Sequence, residues 1–335
     1  MADHHHHNEP RAGVAGLADR IRRLFDHPHD HDHQPPLADT GAAGVRASKV
    51  SLVGLGITAV LQAVLVVLTG SVALLSDTLH NLTDALTAIP LWVAFSLGRR
   101  ATSKRFTFGL GRAEDLAGLV IVAAIGLSAG GVAWESIRRL LDPRSLQHVP
   151  WVIAAGFIGA IGNELVAEYR IRIGRRISSE ALIADGHHAR ADAFTSLAVV
   201  AAGVGSALHA AWVDPVAGLL VAAMILVLLR RSATRVFGRV LDAVDPALVD
   251  QTAHVARSVR GVDSVDDIAM RWHGHRMLIT LVAAVDPELP VRQGHQIAQT
   301  IAHDVMHAFP FRTEVLVHID PTGEPDAHDL TAHHA

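Results

Sequence analysis

From about residue 48 onward the chain alternates long apolar runs with short polar breaks. Six runs, approximately 48 to 69, 72 to 97, 114 to 136, 150 to 173, 181 to 209 and 212 to 231, are each long enough to cross a hydrocarbon core. That core is about 30 Å thick and a helix rises about 1.5 Å per residue. The pattern predicts an all-α domain of six transmembrane helices over residues 46–235. The third run holds Gly126-x-x-x-Gly130 and the fourth Gly159-Ala-Ile-Gly162, small residues that let neighbouring helices approach closely.

Past a linker at 236–244 the periodicity changes. Pro246 to Arg260 reads as a helix, and Val262 to Trp272 and Met277 to Val285 read as strands flanking the turn His273-Gly-His-Arg. Leu289 to Phe309 follows as an amphipathic helix and Thr313 to Ile319 as a third strand. The order α-β-β-α-β over 245–321 predicts a small α+β domain with its helices on one sheet face. Residues 1–45 and 322–335 are polar and rich in histidine, and both are expected to be disordered tails.

Composition agrees with a membrane protein: of 335 residues, 50% are hydrophobic and only 19% charged, and the mean hydropathy is +0.30. The net charge of −4 offers no basic surface, so nucleic acid is not an expected partner. Cysteine is absent, so a metal can be held only by imidazole nitrogen and carboxylate oxygen, which argues against Cu(I). Histidine is unusually frequent, 23 residues, and His27, His29, His31 and His33 alternate with acids in the first tail. That stretch reads as a flexible metal collector; the opening MADHHHHNEP also fits a purification tag. The tail is polar and shows no secretory signal.

Lys and Arg in the short loops set the orientation. Arg46 and Lys49, the group from Arg99 to Arg112, the group from Arg170 to Arg176, and Arg230, Arg231, Arg235 and Arg239 all fall on one side, read as cytoplasmic. Arg138, Arg139 and Arg144 dissent. The balance places both termini in the cytoplasm, with the chain in the cytoplasmic (inner) membrane.

Two of the apolar runs carry polar residues at helical spacing. In the second, Asp77, His80 and Asp84 form one stripe. An ionised Asp at such depth costs roughly 2.5–3.5 kcal/mol on insertion scales, so residues of this kind seldom lie there without a role. In the fifth, His188 and Asp192 repeat the His-x-x-x-Asp spacing of His80 and Asp84. One pair alone reads as a hydrogen-bonded structural couple. Two pairs on two helices supply two imidazoles and two carboxylates, a set suited to tetrahedral Zn²⁺. Asp77 and Asp185, each three residues before a candidate ligand His, read either as orienters of that imidazole or as capping and cavity-lining groups. His187 lies about 100° around the helix from His188 and reads as a bystander or proton relay. Asn163 and Glu164 read as packing groups.

The pattern Ala73-Leu-Leu-Ser-Asp-Thr-Leu-His80-x-x-x-Asp84, then Phe108-Gly-Leu-Gly-Arg-Ala-Glu114, then Ala184-Asp-x-x-His188-x-x-x-Asp192 resembles the cation diffusion facilitator family. Asp214-Pro215 and Val317-His-Ile-Asp320-Pro add to the match, which spans about residues 46 to 321. The resemblance implies a homodimeric, proton-coupled exporter of divalent metal with a ferredoxin-like cytoplasmic domain, and a transport site of His80, Asp84, His188 and Asp192. A His in the first pair, where some members carry Asp, resembles the zinc-preferring members. Zn²⁺ is thus the expected substrate and a possible structural or regulatory ligand, with protons and the lipid bilayer as further partners. The resemblance also implies a charge pair between Arg112 and Asp242, and a metal site in the soluble domain at His295, His318, Asp320 and Asp266. A neighbouring family position is occupied by Val282, and His273 or His275 could substitute. The loop from Arg105 to Arg112 lacks the histidines of many relatives, so an extra metal site there is not expected.

Other readings remain open at this level. The donors leave Fe²⁺, Co²⁺, Ni²⁺, Cd²⁺ and Mn²⁺ as alternative cargo. An intramembrane metallohydrolase would want a His-Glu-x-x-His motif, which the chain lacks, so an enzyme is not expected. A membrane-tethered metal sensor leaves the four intramembrane residues unexplained.

Overall fold

The structure, a computed structural model, describes residues 40–69, 78, 86, 88–141, 149–210 and 212–323. The histidine-rich stretches 1–39 and 324–335, expected to be disordered, and the candidate residues Asp77, His80 and Asp84 lie outside these residues.

The membrane-type segments form α1 (Thr40–Thr69), α2 (Ala88–Gly98), α3 (Arg112–Leu141), α4 (Val149–Arg176), α5 (Glu180–Ala207) and α6 (Val213–Val240). Four of them, α1, α3, α4 and α6, are long and apolar enough to cross a membrane. Helix α2 is described over 11 residues only. Helix α5 has the length, but its His, Asp, Arg and Glu residues keep it from reading as an apolar span. Leu127, Ile161, Leu165 and Leu220 are exposed along these helices, as residues facing lipid must be.

Helix boundaries extend past the apolar runs. Helix α1 begins at Thr40, inside the tail expected to reach residue 45, and α6 continues to Val240, which absorbs part of the expected linker. Hydropathy marks only the part of a helix that sits in hydrocarbon, whereas the backbone ladder continues through polar residues such as Arg230 to Arg239.

Helix α5 is central, packing against α3, α4 and α6, and α1 lies against α2 and α4. Contact between α4 and α5 is close because both carry small residues where they cross. A Cβ on Gly186 would lie 3.0 Å from the Ala167 carbonyl, and one on Gly159 would lie 2.7 Å from Ser196 Oγ. Gly162 meets Thr58 of α1 in the same way. In α3, by contrast, Gly130 faces open space among the described residues, and Gly126 makes only ordinary contact with Leu229. Of the two small-residue motifs, only the one in α4 marks a close helix contact.

The C-terminal unit has the expected order: α7 (Pro246–Arg257), β1 (Ser264–His273), β2 (Arg276–Val285), α8 (Val291–His307) and β3 (Thr313–Pro321). Asp245 caps α7 by accepting from the Ala247 amide at 3.0 Å. The sheet is mixed, with β2 central, antiparallel to β1 and parallel to β3. Period-two alternation places Met277, Ile279, Leu281 and Ala283 of β2 in the core with Ile301 and Val305 of α8. A bulge between Asp266 and Ala269 breaks the β1 register, with Asp267 at φ 49°.

Candidate functional site in the helix bundle

The candidate pair on α5 is buried. His188 and Asp192 are 1% and 4% exposed, and His188 Nδ1 lies 4.0 Å from Asp192 Oδ1. Four residues on a helix make slightly more than one turn, so both side chains leave the same face. Contacts on either side fix the register with α4. Gly159 opposes Ser196 one turn to one side, and Ala167 opposes Gly186 on the other. That antiparallel register sets Asn163, itself buried, at the level of Asp192. The Asn163 amide nitrogen has no hydrogen-bond partner among the described residues.

Asp185 has a different neighbour from the one its sequence position suggests. It is fully buried, and Arg170 of α4, 1% exposed, brings Nε to 3.1 Å from its Oδ2. Arg170 Nη1 also donates to the Asp185 carbonyl at 3.2 Å. Arg170 is therefore a core residue of the α4–α5 contact and not a loop charge. Arg170 thus does not mark the cytoplasmic side as a loop charge would, while Arg175 and Arg176 lie in the last turn of α4.

Arg190, His187 and Arg139 each have a side-chain partner on a neighbouring helix. Arg190 of α5 donates to Glu164 at 2.6 Å and to Glu168 at 3.1 Å, so Glu164 is an ion-pair partner as well as a packing group. His187 turns toward α6, its Nδ1 2.9 Å from Ser232 Oγ. At the far end Arg139 of α3 binds Asp214 of α6 at 2.9 Å. One of the three dissenting charges is thereby satisfied within the protein.

The membrane-type helices join the C-terminal unit through the β1–β2 turn. His273 is buried, and its Nε2 accepts the Gly111 amide at 3.1 Å. His275 Nδ1 donates to the buried Glu114 carboxylate at 2.9 Å. Arg239, from the last turn of α6, donates to the Gly274 and Ser178 carbonyls, each at 3.1 Å, and stacks 3.7 Å over the Trp272 ring. Arg112 donates to Asp242 and also to the Arg239 carbonyl. In sequence this socket was visible through the expected Arg112–Asp242 charge pair, which forms here, while His273 and His275 stood without a partner. His273 and His275 are used here, on the membrane-type helices, and not as substitute ligands in the sheet.

The four soluble-domain candidates do not meet within one chain. Asp266, Val282 and His318 are register neighbours across the sheet, and His318 Nε2 lies 2.8 Å from Asp320 Oδ1. Val315, Val317 and Ile319 point into the core, so His318 and Asp320 take the opposite, open face. His295 sits exposed on α8, on the helix side. Among the described residues no three ligating side chains gather into a metal cluster.

Comparison with known proteins bears on both parts of the chain. Residues 48–237 match the family model of the cation efflux transmembrane domain, and residues 244–322 match that of the cation efflux protein cytoplasmic domain. A probable cation efflux system protein of Mycobacterium tuberculosis is 49% identical, with 91% of this chain and 93% of the relative covered. A manganese efflux system protein of Bacillus subtilis is 26% identical, over 75% of this chain and 87% of its own length. A metal tolerance protein of Arabidopsis thaliana is 25% identical, over 89% and 66%.

Proposed function

The chain belongs to the cation diffusion facilitator family of membrane cation efflux transporters and is not an enzyme, and we propose that it exports Zn²⁺ in exchange for protons. In this reading His80, Asp84, His188 and Asp192 bind the cation, six helices span the inner membrane with both termini in the cytoplasm, and the working unit is a homodimer.

The observation that carries the proposal is the α5 half-site. An imidazole and a carboxylate are buried one turn apart, on the helix most enclosed by its neighbours. Tetrahedral Zn²⁺ about 2.0–2.1 Å from each atom needs the two about 3.3 Å apart. A small side-chain rotation from 4.0 Å supplies that distance. Protons and a divalent cation compete for the same donor atoms, because a ligand must be deprotonated to bind. Alternating exposure of such a site therefore couples the two fluxes. Cation binding from the cytoplasm releases protons, and protons entering from outside displace the cation.

The manganese efflux relative supports a second cargo, Mn²⁺. Imidazole in both pairs favours Zn²⁺, since Mn²⁺ prefers oxygen donors. Vesicle flux tests both. Protein reconstituted in vesicles should move Zn²⁺ against a pH gradient faster than Mn²⁺, Fe²⁺, Co²⁺, Ni²⁺ or Cd²⁺. Asp84→Ala and Asp192→Ala should each abolish uptake while the protein remains folded. Transport by both variants would refute the site. Mn²⁺ flux without Zn²⁺ flux would establish the second cargo.

A further inference from the structure

Helix α8 carries a second constellation of metal-binding groups that the transport reading does not use. His303 and His307 stand one helical turn apart on its exposed side, with ring centroids 4.4 Å apart and planes inclined by 53°. Neither belongs to the core, which α8 enters through Ile301 and Val305. Residues four apart share a helix face, and two histidines at this spacing are how a single helix offers two imidazoles to one Zn²⁺.

Two neighbours favour a cation there. Asp304 Oδ1 lies 3.0 Å from His303 Nδ1. A carboxylate that accepts the Nδ1 proton fixes the tautomer, leaves Nε2 with its lone pair, and raises that nitrogen's basicity. The pair also occupies the last two turns of α8, which ends at His307. The terminal carbonyls there carry partial negative charge. His307 makes no hydrogen bond among the described residues, so binding a cation displaces nothing from it.

We propose that His303 and His307 form a divalent-cation site on the outer face of α8, oriented by Asp304 and completed by water. Two nitrogen donors take Zn²⁺, Co²⁺, Ni²⁺ or Cu²⁺ in preference to Mg²⁺ or Ca²⁺, whose hard ions prefer oxygen. The site lies across the sheet from the Asp266, Val282 and His318 row and is independent of which cation the membrane helices carry.

Residue-by-residue protection tests it on the full chain in detergent micelles. Diethyl pyrocarbonate modifies free imidazoles, and mass spectrometry reads each histidine-containing peptide while Zn²⁺ alone is titrated. The lone exposed His254 of α7 serves as the single-imidazole reference. His303 and His307 should become protected together, at about tenfold less Zn²⁺ than His254 or lower, and Mg²⁺ should protect neither. In His307→Ala, His303 should fall back to the behaviour of His254. In Asp304→Asn, the pair should need about tenfold more Zn²⁺. The site is overturned if His303 and His307 are protected no better than His254, or if His303 is protected equally well after His307→Ala. All three positions are surface residues, and unchanged His254 reactivity verifies that the variants keep the fold.

Discussion

The Arg170–Asp185 pair is the clearest case in which a single residue's role differs from what its position in the chain suggests. Both groups are removed from solvent, and an ion pair in such a place roughly offsets its own desolvation, whereas one ion left alone does not. Arg170→Met should therefore destabilise the helix bundle by about 3–5 kcal/mol, because it strands the Asp185 carboxylate. The double variant Arg170→Met, Asp185→Leu should recover most of that loss, since no charge then remains buried. Thermal unfolding in detergent micelles measures both, and equal midpoints for Arg170→Met and the unaltered chain would dismiss the pair as structural. The proximity of Arg170 to a loop in the sequence hid this role. A basic residue near a helix end looks the same whether it faces headgroups or turns inward to an acid fifteen residues on.

For the elements, periodicity served well where one face is apolar. The order α7, β1, β2, α8, β3 is visible in the alternation of Met277, Ile279, Leu281 and Ala283 and in the stripe of α8. It served less well where packing depends on what stands opposite. Gly126-x-x-x-Gly130 and Gly159-Ala-Ile-Gly162 look alike in sequence, yet only the second meets a neighbour closely. A Cβ on Gly162 would lie 2.8 Å from Thr58 Cγ2, as well as against its hydroxyl. Gly162→Ala should therefore overpack the α1–α4 contact and cost about 1–3 kcal/mol. Gly130→Ala enters open space and should stabilise by about 0.4–1 kcal/mol, because alanine loses less backbone freedom on folding. Opposite shifts in the thermal midpoint are expected, and a loss of stability in Gly130→Ala would show that α3 has a close neighbour on that face. The two His-x-x-x-Asp candidates stand out in the sequence for a different reason: polar groups in an apolar run are marked by their cost, whatever lies opposite them.

Across the whole molecule, the β1–β2 turn is the mechanical joint between the helices and the C-terminal domain, and it holds only in one protonation state. His273 Nε2 accepts the Gly111 amide, so it must be unprotonated. Burial first, and then Arg276, Arg112 and Arg271, lower its pKa below the ordinary 6.5. A released hairpin has the ordinary value, so below about pH 6.5 it binds a proton that the docked one refuses. The docked state thus keeps its full stability above about pH 6.5 and loses it progressively as pH falls through the lowered value. Steric fit makes the same joint specific. Gly274 has φ +62°, and a Cβ there would lie 2.8 Å from the Gly111 carbonyl and 2.9 Å from the Glu114 carboxylate. Gly274→Val should therefore release the hairpin at every pH. Hydrogen exchange at the Gly111 amide, corrected for its intrinsic pH dependence, reports the docking. Protection should hold above about pH 6.5 and decline as pH falls below it in the unaltered chain, and should be absent throughout in Gly274→Val. His273→Ala, which removes the acceptor, should give weak protection with a smaller pH dependence. If protection in the unaltered chain instead rises on acidification, His273 is protonated in the docked state and the joint is held by its charge.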